Sequence, residues 1–317
     1  MTGMTKKIVL VGTGMVGMSF AYAALNQGVC DELVLCDINK ERAVGEAMDL
    51  NHGLPFARSN MKIYAGDYSD CKDADIVIIA AGVAQKEGET RLDLLQRNVD
   101  VFRSIITPIV KSGFNGIFLV ATNPVDIMTR VTYELSRFGS GRVIGSGTTL
   151  DSARLRYLLG DYLSVDPKNV HAYVIGEHGD SEFVPFSQAI VATKSIISVI
   201  QEDSTSYKME HLKEIEEQVR TAAYKIISAK RATYYGIGMA LTRIVKAILN
   251  DENSILTVST KLNGEYGIND VYIGVPSVIG RNGIKQVIEL SLTDEETEKL
   301  HNSAKILADS FEGLKCR

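Results

Sequence analysis

Lys7-Ile8-Val9-Leu10-Val11-Gly12-Thr13-Gly14-Met15-Val16-Gly17 is the stretch that decides the fold. Behind Lys7, residues 8–11 are an apolar run rich in β-branched side chains, and 7–11 reads as a strand buried on both faces. The next six spell GxGxxG, and residues 18–27 then read as a helix closed by Gly28. A second apolar strand, residues 33–36, ends at Asp37, 20 positions after Gly17. Strand, glycine turn, helix, strand and acid in this register form the fingerprint of a dinucleotide site. Gly12 permits the tight turn, Gly14 lets the backbone approach a pyrophosphate, and Gly17 allows the helix to pack close to the strand. The amides at the start of the helix then receive the phosphate charge. Asp37 can accept hydrogen bonds from an adenosine ribose and would repel a 2′-phosphate, so NAD is expected over NADP; nearby Arg42 tempers that preference.

Outward from this stretch, strands and helices alternate. Helix is expected over residues 40–50, 92–111 and 125–138, and strand over 61–65, 76–80, 116–121 and 143–145. This rhythm predicts an α/β fold, a doubly wound parallel sheet of the Rossmann type, with ligands beyond the carboxyl ends of its strands. Asp37, the small pair Ala81-Gly82 and Asn123 all fall at such ends. Past Ser146 the rhythm changes. Helices are expected over 150–162, 208–235 (with a break at Gly236), 237–250 and 294–311, the last capped by Thr293 or Asp294. Strands are expected over 171–175, 254–262 and 271–275, the last two antiparallel. We therefore divide the chain into a cofactor domain, 1–145, and a separate α+β catalytic domain, 146–317.

Composition narrows the function classes. Of 317 residues, 45% are hydrophobic and 23% charged, which suits a soluble globular protein. A net charge of -5 gives no reason to expect nucleic acid or an anionic membrane as a partner. No stretch reaches transmembrane length. The four cysteines, Cys30, Cys36, Cys71 and Cys316, form no CxxC pair, so neither a disulfide framework nor a metal site is expected. These features point to the cytoplasm.

The chemistry centres on Gly176-Glu177-His178-Gly179-Asp180, a polar loop directly after the apolar run 173–175. A histidine there can hold or release a proton near neutral pH, although a lone histidine in a surface turn is the commoner case. The rest of the chain supplies its partners. Asp151 can orient His178 and stabilise its charged form, or merely serve as a first-turn helix acid. Arg154, three residues on, offers a fork that matches a substrate carboxylate. The polar segment 82–91 reads as a lid that would bring Arg91 onto a reacting carbonyl and exclude water.

Together, Gly12 to Gly17, Gln85 to Arg91, Thr122-Asn123-Pro124-Val125-Asp126, Asp151-Ser152-Ala153-Arg154, Gly176 to Asp180 and Ala232-Thr233-Tyr234-Tyr235-Gly236 resemble the bacterial L-lactate dehydrogenases of the lactate/malate dehydrogenase superfamily. The resemblance covers essentially the whole chain. It implies reversible reduction of pyruvate to L-lactate by NADH, with His178 as acid/base, Asp151 as its partner, Arg91 polarising the carbonyl and Arg154 on the carboxylate. It sets Asn123 beside the substrate, Ser146 near the nicotinamide amide and Thr233 in the pocket for the substrate's methyl group. Val16, Arg42, Tyr68, Ala81, Gly82 and Thr122 match cofactor-lining positions.

Gln85 separates this reading from malate dehydrogenase, whose members carry arginine at the matching position. A neutral Gln85 would leave oxaloacetate's second carboxylate buried and unpaired, at a cost on the order of several kcal/mol. Arg156 and His171 match residues that bind fructose 1,6-bisphosphate between subunits, so the resemblance also implies an allosteric effector and a homotetramer. Glu87 replaces a proline common in the lid. The alternatives are an L-2-hydroxyacid dehydrogenase of broader specificity, a malate dehydrogenase, or an NAD-binding subunit without turnover. The joint presence of His178, Asp151, Arg154 and Arg91 argues against the last.

Overall fold

The computed structural model describes residues 5–83, 88 and 90–316, with Arg91 described by its backbone alone. Gln85 and Glu87, expected in the lid, lie outside the described residues.

Six parallel strands form the heart of the molecule: β1 (Lys7–Val11), β2 (Glu32–Cys36), β3 (Lys62–Ala65), β4 (Ile76–Ile79), β5 (Ile117–Val120) and β6 (Val143–Gly145). The helices α1 (Met15–Gln27), α2 (Lys40–Gly53), α3 (Arg91–Lys111) and α4 (Val125–Ser136) cross between them. Every residue of β1, β4, β5 and β6 is buried, as the unbroken apolar runs require when helices cover both faces. Each large apolar side chain that these strands take from water contributes about 1.5–3 kcal/mol.

Beyond β6 come α5 (Thr149–Leu163), the short strands β7 (Val170–His171), β8 (Ile190–Val191) and β9 (Lys194–Ser195), and α6 (Ile196–Glu202). Then follow α7 (Met209–Lys230), α8 (Tyr235–Leu249), β10 (Ser254–Asn263), β11 (Asn269–Gly280), β12 (Gly283–Val287) and α9 (Asp294–Glu312). The long antiparallel strands do not form a sheet of their own. They extend the parallel sheet into a nine-stranded one, ordered β12-β11-β10-β6-β5-β4-β1-β2-β3, through the pairing of Ser259 with Gly145. The second half is thus joined to the first through this shared sheet.

Helix α8 packs on α1, and with α2 they cover one face of the sheet, while α3, α4 and α9 cover the other. Gly238 is where α8 meets α1, since a Cβ there would lie 2.7 Å from the backbone of Ser19. Several expected boundaries move. Helix α1 starts at Met15, which puts Val16 and Gly17 in its first turn. The helix expected through residue 235 ends at Lys230, because Arg231 turns left-handed at φ 71°. Gly236, expected to mark that break, lies inside α8, where a Cβ would come within 2.8 Å of Leu150. The strand expected over 171–175 is regular only at its start, and its far end makes isolated bridges instead. Strand β12 and helix α6 had no expectation at all. Thr293 does cap α9, in a reciprocal capping box with Glu296. Among the described residues, no helix is long and apolar enough to cross a membrane.

Candidate active site

Because β1, β4, β5 and β6 are parallel, the residues that follow them emerge on one edge of the sheet. Gly12 follows β1 at φ 99°, and a Cβ there would sit 2.8 Å from the backbone nitrogen of Ala81. Gly17 is tighter still: a Cβ would meet the carbonyl oxygen of Gly12 at 2.0 Å. These two glycines therefore permit the close turn and the helix–strand contact. Gly14 differs, since a Cβ built there meets nothing within 4 Å. It caps α1 without any side-chain acceptor for the helix's first amides. An open cradle in front of uncapped amides fits the pyrophosphate of a dinucleotide.

Asp37 stands at the end of β2, its Oδ2 accepting from the Thr13 amide at 2.7 Å and the Thr13 hydroxyl at 2.9 Å. Its Oδ1 accepts from the Asn39 amide at 2.9 Å. Burial opposes its charge, but these hydrogen bonds and the nearby Arg42 hold the carboxyl below its ordinary value. Arg42 itself is exposed and lies 3.6 Å from Glu46, on α2. Thr122 donates to the carbonyl of Ala81 at 2.8 Å, tying the ends of β4 and β5 together. Gly82 leaves room for Thr122, whose methyl would be 2.7 Å from an added Cβ. Asn123 is exposed just beyond, joined to Pro124 by a cis peptide bond. Ser146 is buried after β6, and Tyr68 and Val16 are half-buried near the cradle's end of the sheet.

The second cluster is built on α5. Asp151 is 1% exposed and holds two partners at once: its Oδ2 lies 2.6 Å from Nδ1 of His178, and its Oδ1 accepts from Nη1 of Arg154 at 2.7 Å. The first turn of α5 is fastened to the segment leading to His178. Thr148 donates to the carbonyl of Val174 at 2.6 Å, and the Val174 amide donates to Ser152 at 2.9 Å. The histidine loop is pinned on its other side. Ile175 pairs with Phe183, Gly176 pairs with Gly274, the Glu177 amide donates to Ser303 at 2.7 Å, and the His178 amide donates to Asp126 at 2.9 Å. His178 therefore sits on a rigid frame although it lies in a loop.

Burial alone would discharge this histidine. The charge and hydrogen bond of Asp151 win instead and push it up to about 9. For Asp151, burial is likewise outweighed, by His178 and Arg154, and the carboxyl is lowered. The group can therefore hold a proton on His178 at neutral pH, with an arginine alongside for an anion. Sequence reasoning missed Asp126 and Glu182. Asp126 is fully buried, and its ordinary look as a first-turn helix acid hides its bond to His178.

Other expected residues are placed more loosely. Arg91 opens α3, whose first turn is capped by Thr90 and Asp93. Thr233 is half-buried in the loop joining α7 to α8. Arg156 on α5 donates to the Pro167 carbonyl at 3.2 Å and lines a cavity of about 310 Å³, while His171 is exposed on β7. All four cysteines are free thiols.

Comparison with known proteins covers nearly the whole chain. Residues 6–145 match the lactate/malate dehydrogenase NAD-binding domain, and residues 148–315 match the lactate/malate dehydrogenase alpha/beta C-terminal domain. The chain is 56% identical over 305 residues to L-lactate dehydrogenase 2 of Bacillus cereus (strain ZK / E33L), covering 96% of this chain and 97% of that one. Among solved structures, a lactate dehydrogenase from a Medee basin deep-sea metagenome library superposes with a TM-score of 0.96 at 54% identity, over 98% of this chain and 99% of that one. The ligand-bound minor L-lactate dehydrogenase of Enterococcus mundtii also gives 0.96, at 47% identity and 99% coverage of both chains.

Proposed function

The chain belongs to the lactate/malate dehydrogenase family as an NAD-dependent L-lactate dehydrogenase, and from that premise we propose which of its residues perform the reaction. When bound, the dinucleotide supplies or accepts the hydride. Gly12, Gly14, Val16, Gly17, Asp37, Arg42, Tyr68, Ala81, Gly82, Thr122, Asn123 and Ser146 would hold it, along the carboxyl edge of the parallel strands.

His178 moves the proton. Its Nδ1 is committed to Asp151, which leaves Nε2 to give a proton to the oxygen of pyruvate or to take one from lactate. Asp151 holds the ring in place and stabilises the imidazolium. Arg154 spends one nitrogen on Asp151 and keeps the rest of its fork for the substrate carboxylate. Arg91 stabilises the charge that develops on the carbonyl oxygen. Asn123 and Thr233 line the substrate, and neutral Gln85 favours a monocarboxylate. The observation that carries this reading is the single buried carboxylate shared by His178 and Arg154.

Fructose 1,6-bisphosphate is the effector in this account, bound by Arg156 and His171 where subunits of a homotetramer meet. Their cationic chemistry supports the assignment. Four unpaired cysteines support a cytoplasmic setting. NADH oxidation with pyruvate and with oxaloacetate, each with and without the bisphosphate, tests the specificity and the effector together. Strong preference for pyruvate, sharpened by the bisphosphate, is the expected result. Preference for oxaloacetate would reject the role of Gln85, and rates indifferent to the bisphosphate would reject the effector.

A further inference from the structure

Glu182 lies four residues after His178, and its place in the site calls for an account. Its side chain is only 6% exposed, and its Oε2 stands 4.0 Å from Nδ1 of His178. Polar atoms of Asp151, His178 and Glu182 all fall within 4.8 Å of one another. Among the described residues, no hydrogen bond reaches the Glu182 carboxyl. Among the described residues, each cation that faces it is engaged elsewhere. His178 Nδ1 and Arg154, the latter on α5, are both bonded to Asp151 at 2.6 and 2.7 Å. Arg220, on α7, is paired with Glu217. Asp151 on α5 makes matters worse for a charge, while Asp126 on α4 and Glu216 on α7 accept from the nearby amides of His178 and Val184.

A buried carboxylate without a donor or a counter-ion of its own is costly, and the usual escape is to keep the proton. We propose that Glu182 is a positioning residue that serves the reaction as a neutral carboxylic acid, keeping a further negative charge away from the place where Arg154 receives the substrate carboxylate. Burial and the Asp151 charge push its carboxyl up to about 9, against the pull of His178, Arg154 and Arg220. Glu182 then ionises in the same alkaline range in which His178 loses its proton. Above neutral pH two groups leave the competent state instead of one.

The inference rests on the proposed role of His178, so its first test is read without turnover. In infrared spectra of the NADH-bound enzyme at neutral pH, a carboxylic-acid C=O band shifts on carbon-13 labelling of glutamate and is absent from Glu182→Gln. If that variant does not fold, Glu182→Asp serves, with the band passing from glutamate to aspartate labelling. No glutamate-derived acid band, or one that survives in Glu182→Gln, overturns the proposal whatever the role of His178. The second test is the alkaline fall of kcat/KM for pyruvate. Wild type is expected to approach about a hundredfold loss per pH unit, and Glu182→Gln about tenfold, with its midpoint no lower. A midpoint displaced to lower pH with unchanged steepness would mean that Glu182 is ionised in the working enzyme, and would sink the proposal.

Discussion

Asp151 binds Nδ1 of His178 and Nη1 of Arg154 through separate oxygens, at 2.6 and 2.7 Å, while itself almost wholly buried. One carboxylate thus sets both the proton affinity of His178, the proposed acid/base, and the position of Arg154, the proposed substrate clamp. Replacing it should disturb two functions that a simple hydrogen-bond count would treat as independent.

The pH dependence follows with a definite sign. With His178 as the proposed proton donor, pyruvate reduction needs it protonated, so kcat/KM should hold at neutral pH and fall as pH rises through about 9. Lactate oxidation needs the neutral ring and should rise from neutral pH toward that range, until the ionisation of Glu182 beside the carboxylate site limits it. In Asp151→Asn the charge that holds the proton is gone while burial remains. The alkaline fall of pyruvate reduction should then move at least about one unit toward acid. Steady-state rates across pH check this, and an unmoved limb would separate Asp151 from His178.

Arg154→Lys removes the fork. A single ammonium cannot hold Asp151 at 2.7 Å and also grip a carboxylate by two bonds. The loss of one charge-assisted hydrogen bond is worth about 1.5–3 kcal/mol, which is roughly ten- to 150-fold in kcat/KM for pyruvate. Undiminished kcat/KM would remove Arg154 from the role.

Gly17→Ala tests the glycine turn by packing alone. Its Cβ would fall 2.0 Å from the Gly12 carbonyl oxygen, so α1 must shift away from β1. Overpacking of this kind costs about 1–3 kcal/mol. Denaturant unfolding should show that loss, together with weaker NADH binding by fluorescence titration. Wild-type values for both would contradict the assigned packing.

Asp37→Asn should narrow the preference for NADH over NADPH. The change removes the charge that repels a 2′-phosphate, and a neutral amide can still accept from Thr13. The ratio of kcat/KM for the two cofactors measures it, and a ratio equal to that of wild type would count against Asp37 as the discriminating group.

The cofactor half was the more legible in sequence because its signals are local. GxGxxG needs backbone freedom at Gly12 and room without a Cβ at Gly17, and the structure shows the contacts that demand both. Strands buried on both faces announce themselves as unbroken apolar runs. The joining of β10 to β6 was not legible, since the pairing of Ser259 with Gly145 spans more than a hundred residues. Nor was the end of α7 at Lys230: an amphipathic pattern continues through Arg231, whose left-handed turn leaves no mark in hydrophobicity. In the site, the residue types of His178, Asp151 and Arg154 suggested their chemistry before any geometry did. Asp126 and Glu182 act through burial and proximity, and neither property is visible in a side chain's identity.

The central claim is that His178 moves the proton. Single-turnover oxidation of NADH by pyruvate in His178→Gln, with NADH binding followed separately by fluorescence, tests it most directly. The account predicts retained NADH binding and a rate of reduction lower by about 10²–10⁴-fold. Reduction at the wild-type rate would contradict it.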